Sequence, residues 1–252
     1  MVEGKEPLMK LVGISKRFGH VVALNKVDFE VYPGECVGLV GDNGAGKSTL
    51  AKIMIGYYQP DEGEIYFEGK KVRFRSPMDA RRLGIEMVYQ DLALLDTMNI
   101  WRNFFLGKEL VKPLGPFKLL DRDTMKRLSA EFLRGIGIRI RSVEEPVGVL
   151  SGGERQSIAI ARTVYFGAKL LILDEPTTAL SFKEAQKVLD LINELKKKGL
   201  GIVLISHNIY HVYEVADRFT ILDKGTKVAD YLYKKDVTPQ EIVDIIVKRR
   251  HS

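Results

Sequence analysis

The chain has 252 residues, 45% of them hydrophobic, and carries 39 lysines and arginines against 33 aspartates and glutamates, a formal net charge of +6. That apolar content can bury a large core and excludes a disordered chain, while the longest apolar runs, such as Leu170 to Leu173 and Ile202 to Ile205, fall far short of the roughly 18 residues of a membrane-spanning helix. The positive balance favours anionic partners, but the basic residues are spread out, the clusters at Lys196 to Lys198 and Lys248 to Arg250 read as solvated, and no basic stripe with stacking aromatics points to nucleic acid.

The start, Met1 to Lys10, mixes charges with a proline and has no apolar h-region, so the expected compartment is the cytoplasm. Short alternating runs follow at Leu8 to Ile14, Val21 to Leu24, Val27 to Val31, Glu64 to Phe67 and Val72 to Phe74, which predict a mostly antiparallel sheet. Pro33-Gly34, Pro60-Asp61-Glu62-Gly63 and Glu68-Gly69-Lys70 supply the turns. Within this layer, Cys36 to Val40 reads as a buried strand, which makes the single cysteine a small core residue. A glycine-rich loop comes next, then a helix with Leu50, Ile53, Met54 and Tyr57 on one face. Between Asp91 and Ala161 the pattern turns helical, at Met98, Trp101 and Phe105 and again at Met125, Leu128 and Phe132, around a proline-rich loop at Pro113-Leu114-Gly115-Pro116. The apolar strands Leu170 to Leu173 and Gly201 to Ser206 then flank a helix marked by Val188, Leu191, Ile192 and Leu195, a parallel βαβ unit. A short helix starts at Thr238-Pro239.

Three stretches carry chemistry. Gly41-Asp42-Asn43-Gly44-Ala45-Gly46-Lys47-Ser48, followed by Thr49, fits G-x-x-x-x-G-K-[ST] between a strand and a helix. In that setting amides and a helix N-terminus face phosphates, Lys47 reaches the β and γ phosphates and Ser48 can hold magnesium. Asn25-Lys26-Val27-Asp28 mimics a guanine-reading signature but precedes the phosphate loop inside a β run, and is taken as coincidence. Leu170 to Pro176 places Asp174 and Glu175 at the carboxyl end of a buried strand, where open sheets bind ligands. Asp174 suits a magnesium shell and Glu175 a general base, although Asp, Glu and Pro are also ordinary residues where a strand turns into solvent. Leu150-Ser151-Gly152-Gly153-Glu154-Arg155-Gln156 opens a helix with a capping box from Ser151 to Glu154. Two glycines in a first helical turn suggest a ligand pressed against the backbone, and a bare helix N-terminus with a serine hydroxyl suits a γ-phosphate.

These motifs, in this order, resemble an ATP-binding cassette subunit over nearly the whole chain. The resemblance implies an α/β fold: a P-loop ATPase core with an antiparallel β subdomain over 8–90 and 162–235, an inserted helical subdomain over 91–161, and a C-terminal helix over 236–252. It places ATP and Mg2+ on the phosphate loop, with Ser48, Gln90 and Asp174 around the metal. Glu175, His207 and Gln90 become the catalytic set, His207 in the position of the switch histidine and Gln90 in that of the Q-loop glutamine. Phe18 falls where an aromatic ring stacks on adenine, and Ser151, Gly152 and Gly153 bind nucleotide across a dimer of two identical chains. Transmembrane permease subunits are implied as partners, docking near Gln90 with Trp101, Phe104 and Phe105 as candidate contacts, and an extracytoplasmic solute-binding protein indirectly. The expected place is the inner face of the cell membrane. Segments such as Met87 to Leu94 and Ser206 to Ile209 look similar to bacterial monosaccharide importers. The pattern departs from the family at Ser181, where an aspartate is usual, and at Glu154, where a glutamine is usual; the first removes a carboxylate used in cross-dimer communication. Three other readings stay open: a soluble cassette ATPase with no transporter, a cassette subunit for another solute, and a plain P-loop kinase.

Overall fold

A computed structural model describes residues 6–250 of the chain; Met1 to Lys5 of the segment read as lacking a leader, and the last two residues, lie outside the described residues. Strands β1 (Met9–Phe18) and β2 (Val21–Val31) pair antiparallel. The two short runs expected at Val21 to Leu24 and Val27 to Val31 form one strand with an irregularity between them. Lys26 adopts a left-handed φ of 49°, its amide donates to Ser15 Oγ at 3.1 Å, and Asp28 Oδ1 accepts the Gly13 amide at 2.7 Å. The guanine-signature mimic is therefore part of a β-bulge. The chain then makes β3 (Cys36–Val40) and helix α1 (Lys47–Met54), and returns to the first sheet as β4 (Glu62–Phe67) and β5 (Lys70–Val72), giving the order β2-β1-β4-β5. Leu50, Ile53 and Met54 of α1 are buried. Tyr57 is not on that face: the helix ends at Met54, Gly56 turns the chain at φ 71°, and Tyr57 is 57% exposed.

After helix α2 (Pro77–Arg82), β6 (Ile85–Val88) enters the second, six-stranded sheet. The middle of the chain holds helix α3 (Ile100–Phe105), strands β7 (Val111–Leu114) and β8 (Phe117–Leu120), helix α4 (Arg122–Gly135) and helix α5 (Gly152–Tyr165). Here the proline-rich loop is in fact a β-hairpin, with Leu114 paired to Phe117 and Gly115 at φ 57° in the two-residue turn. Pro113 and Pro116 obscured it, yet a hairpin belonging to no larger sheet tolerates proline. Met98 lies before α3 rather than in it. Trp101, Phe104 and Phe105, read as docking contacts, are buried at 4%, 0% and 1% exposure, the phenylalanine rings against Tyr165 and Phe166. They hold the helices together and present no surface to a partner.

The remaining elements are β9 (Leu170–Asp174), α6 (Phe182–Lys197), β10 (Gly201–Ile205), α7 (Ile209–Val215), β11 (Arg218–Asp223), β12 (Thr226–Tyr233) and α8 (Pro239–Arg250). The large sheet runs β12-β11-β3-β10-β9-β6, parallel except for the β11/β12 pair. Placing β10 between β3 and β9 brings the carboxyl ends of all three strands side by side. One core lies between the two sheets around α1, and the other lies between the large sheet and the helices. Cys36 is fully buried, which pushes its thiol pKa well above the usual range. The basic run Lys196 to Lys198 is not uniformly solvated: Lys196 Nζ reaches Asp217 Oδ1 at 2.9 Å and the Val215 carbonyl at 2.8 Å.

Strand β3 tolerates no added atom at Gly38. A Cβ on Gly38 would stand 2.5 Å from Val212 Cγ1 and 2.9 Å from Phe219 Cδ1. Gly38→Ala is expected to lower unfolding stability by about 1–3 kcal/mol through overpacking, measured by urea denaturation. A loss below about 0.5 kcal/mol, the range of neutral surface changes, would show that α7 moves away freely.

Candidate nucleotide site

The glycine-rich loop leaves β3 and enters α1 with Gly46 as N-cap at φ 102°, close enough to β2 that a Cβ would stand 2.6 Å from the Ala23 carbonyl. Lys47 begins the helix and turns back, its Nζ donating to the carbonyls of Gly41 at 2.8 Å and Asp42 at 2.9 Å. It is only 9% exposed. Burial lowers its pKa, and the charges of Glu175, Asp42 and Asp174 oppose that shift. A cleft of about 490 Å³ opens over the loop, lined by Asn43 to Thr49 and by Gln90, Asp174, Glu175 and His207. Gly41 and Asp42 contribute to it through the carbonyls that hold Lys47.

Asp174 ends β9 in register with Ile205 of β10. Burial and the neighbouring Glu175 charge raise its pKa, partly offset by Lys52 and Lys47. Glu175 adopts φ 53°, a strained value for a non-glycine residue. Three donors hold its carboxylate: Ser206 Oγ at 2.9 Å, the His207 amide at 2.9 Å and Thr178 Oγ1 at 3.1 Å. His207 Nδ1 lies 3.0 Å from Glu175 Oε2. Sequence reasoning found Glu175 and His207 but missed Ser206 and Thr178; the available signal was a hydroxyl residue directly after each apolar strand and turn.

Ser48, Gln90 and Asp174 share the cleft and offer a hydroxyl, an amide oxygen and a carboxylate. Such oxygen donors fit Mg2+, which takes few protein ligands and completes its shell with phosphate and water. Among the described residues no group of three or more His, Cys, Asp or Glu gathers as a metal cage. Phe18 is not among the residues lining the cleft; it is 41% exposed with its ring edge-on to Tyr58 at 5.0 Å. Val21, Val22 and Ala23 line that wall instead.

Ser151, Gly152 and Gly153 are not brought to this cleft. The capping box is present, with Ser151 Oγ accepting the Glu154 amide at 3.3 Å and Glu154 Oε2 accepting the Ser151 amide at 2.9 Å. The two glycines answer to the chain itself: a Cβ on Gly152 would stand 2.7 Å from Leu180 Cδ2, and one on Gly153 2.9 Å from Glu184 Cβ. Close packing of α5 on the start of α6 therefore requires a small residue at Gly153, whereas the contact at Gly152 is with the movable end of the Leu180 side chain. Ser181 caps α6, its hydroxyl donating to Glu184 Oε2 at 2.6 Å.

Known proteins are similar to this chain. A family model described as ABC transporter matches residues 24–178. The chain is 48% identical over 239 residues to a xylose/arabinose import ATP-binding protein of Sulfolobus acidocaldarius, covering 95% of this chain and 93% of that one. It is 47% identical to a fructose import ATP-binding protein of Rhizobium meliloti, with the same coverage. A ribose import ATP-binding protein of Caldanaerobacter subterraneus is 39% identical, and there the match spans 97% of this chain but 48% of the relative. Among solved structures, a nucleotide-free ATP-binding cassette superposes with a TM-score of 0.84 over 97% of this chain and 99% of the other at 22% identity. A dimeric cassette bound to ADP and Pi superposes at 0.73 over 89% of this chain and 98% of the other with 25% identity.

Proposed function

The chain belongs to the ABC transporter family, and from that premise we propose that it is the ATP-hydrolysing subunit that energises a membrane importer of monosaccharides. The observation that carries this reading is the single cleft in which Lys47, Ser48, Gln90, Asp174, Glu175 and His207 meet from four separate stretches of sequence. Loop amides, Lys47 and the N-terminus of α1 bind the phosphates of ATP. Ser48, Asp174 and Gln90 would hold Mg2+, which would supply charge neutralisation at the phosphates. Glu175 orients and deprotonates the attacking water, and His207 holds the Glu175 carboxylate from the adjacent strand end.

Each chain has one phosphate loop and one Ser151-Gly152-Gly153 helix start, which face different parts of the molecule. A second copy therefore completes each site, and two ATP molecules join the pair. No helix among the described residues is long and apolar enough to cross a membrane, so the work of the dimer is delivered to separate permease subunits at the inner face of the membrane. The sugar names of the relatives support a pentose or hexose as cargo, with an extracytoplasmic binding protein presenting it.

Lys47→Ala tests the cleft. Loss of one charge-assisted contact of about 1.5–3 kcal/mol is expected to weaken ATP binding by roughly 10- to 100-fold, measured by calorimetric titration. Unchanged affinity would place the nucleotide elsewhere.

A further inference from the structure

The donors around Glu175 load its two oxygens unequally. Strand β9 pairs with β10 so that Asp174 stands opposite Ile205, and Glu175 and Ser206 leave the sheet side by side, with the Glu175 amide donating to the Ile205 carbonyl at 2.9 Å. Ser206 is 2% exposed and does not line the nucleotide cleft, although Ile205 and His207 on either side of it do. Its single hydroxyl proton has one destination. The Asn208 amide donates to Ser206 Oγ at 3.2 Å, which uses an acceptor site and leaves the O–H to Glu175 Oε2 at 2.9 Å. A carboxylate oxygen offers about two acceptor sites. Oε2 meets Ser206 Oγ, Thr178 Oγ1 at 3.1 Å and His207 Nδ1 at 3.0 Å, and is saturated. Among the described residues Oε1 has one partner, the His207 amide at 2.9 Å, and keeps a lone pair.

We propose that Ser206 is a positioning residue for hydrolysis: with Thr178 it anchors Oε2 of Glu175 and so makes Oε1 the atom that takes the proton of the attacking water. One O–H bond of that water breaks and its proton goes to Oε1, while the water oxygen bonds the γ-phosphorus. The bond from the γ-phosphorus to the bridging oxygen breaks, its electron pair stays on ADP, and inorganic phosphate is the second product. The last torsion of a glutamate side chain is broad and soft, so the direction of the free lone pair is set by what holds the other oxygen. Without the Ser206 hydroxyl the carboxyl group stays in the cleft but turns about that bond, and misplacing a reacting group by about 1 Å costs up to roughly 100-fold in rate. Thr178 lines the cleft as well as touching Oε2, so its replacement would also change the surface offered to the nucleotide. Ser206, lying behind the carboxylate, isolates the positioning effect.

This rests on the ATPase reading proposed above, and one set of measurements separates the two ideas. Phosphate release from ATP gives kcat and KM for the full chain, for Ser206→Ala, for Glu175→Gln and for the double variant, and calorimetric titration gives the ATP affinity of each. Ser206→Ala is expected to lower kcat by roughly 10- to 100-fold with KM and ATP affinity unchanged, a split that also shows the variant to be folded. Because the hydroxyl acts only through the Glu175 carboxylate, the same substitution in the Glu175→Gln chain is expected to leave the residual rate where it is, as for residues that work as one unit. If Glu175→Gln hydrolyses ATP at the original rate, the base role of Glu175 falls and this inference falls with it. If Glu175→Gln is slow but Ser206→Ala keeps the original kcat, or loses ATP affinity in step with kcat, or slows the Glu175→Gln chain by its full factor, the ATPase reading stands and the inference about Ser206 is overturned.

Discussion

Replacing Glu175 by glutamine lowers ATP hydrolysis by roughly 10² to 10⁴-fold, the contribution of one general base, while ATP binding and the ATP-linked dimer persist. The physical basis is the ring of donors around this carboxylate. Ser206, Thr178 and the His207 amide all donate to it, so the group is fixed in place as an acceptor before any substrate arrives. A glutamine oxygen accepts some of these bonds and preserves the strained turn at φ 53°, but an amide cannot take a proton from water. Lys47, Ser48 and Asp174 are untouched, so phosphate binding stays. Phosphate release measured alongside light scattering checks both halves. Hydrolysis at the original rate would remove Glu175 from the base role, and loss of the dimer together with hydrolysis would mean that the carboxylate is needed for binding or folding.

The second large effect concerns stability. Arg218 is fully buried, its Nε 2.7 Å from Glu35 Oε1 and its Nη1 3.1 Å from Asp230 Oδ1, with Glu35 and Asp230 side chains 11% and 12% exposed. It also donates to the Glu30 carbonyl and lies over the Tyr231 ring at 4.7 Å. Arg218 belongs to the large sheet, and Glu30 lies on the small one. Arg218→Ala leaves the mostly buried Glu35 carboxylate without its cation and Asp230 with Lys227 alone, and breaking such a network costs about 3–5 kcal/mol. Against a typical total of about 5–15 kcal/mol, that brings the chain near its unfolding threshold. Urea denaturation of Arg218→Ala, Glu35→Ala and the double variant gives a cycle in which the double loss is well below the sum. Additive losses would show that the ion pair is not the source.

The helical and strand elements that carry the cleft were legible because their signals are local. Period-two alternation marks β1 and β4, unbroken apolar runs mark β3, β9 and β10, and the spacing of Leu50, Ile53 and Met54 marks α1. The hairpin at Val111 to Leu120 was hidden because prolines mask strand character, and the position of Tyr57 was misread because a helix period continues in sequence past the glycine that ends the helix. Trp101, Phe104 and Phe105 illustrate a different limit. An aromatic triplet has the same composition whether it faces a partner or a core, and only the neighbouring Tyr165 and Phe166 decide for the core.

The amino-acid sequence by itself determined the strand, glycine-rich loop and helix of the candidate phosphate site, the pair Asp174 and Glu175 at a strand end, and the capping box at Ser151, because each is set by residues within a few positions of one another. Tertiary structure alone decided that Ser206 and His207, about 30 residues beyond Glu175, clamp its carboxylate. It also decided that Gly153 is small because Glu184 presses on it, and that Phe18 packs on Tyr58 rather than lining the cleft. These outcomes depend on the order of strands in the sheet and on which helices pack across it, and distances of that kind are created by folding and have no local pattern to announce them.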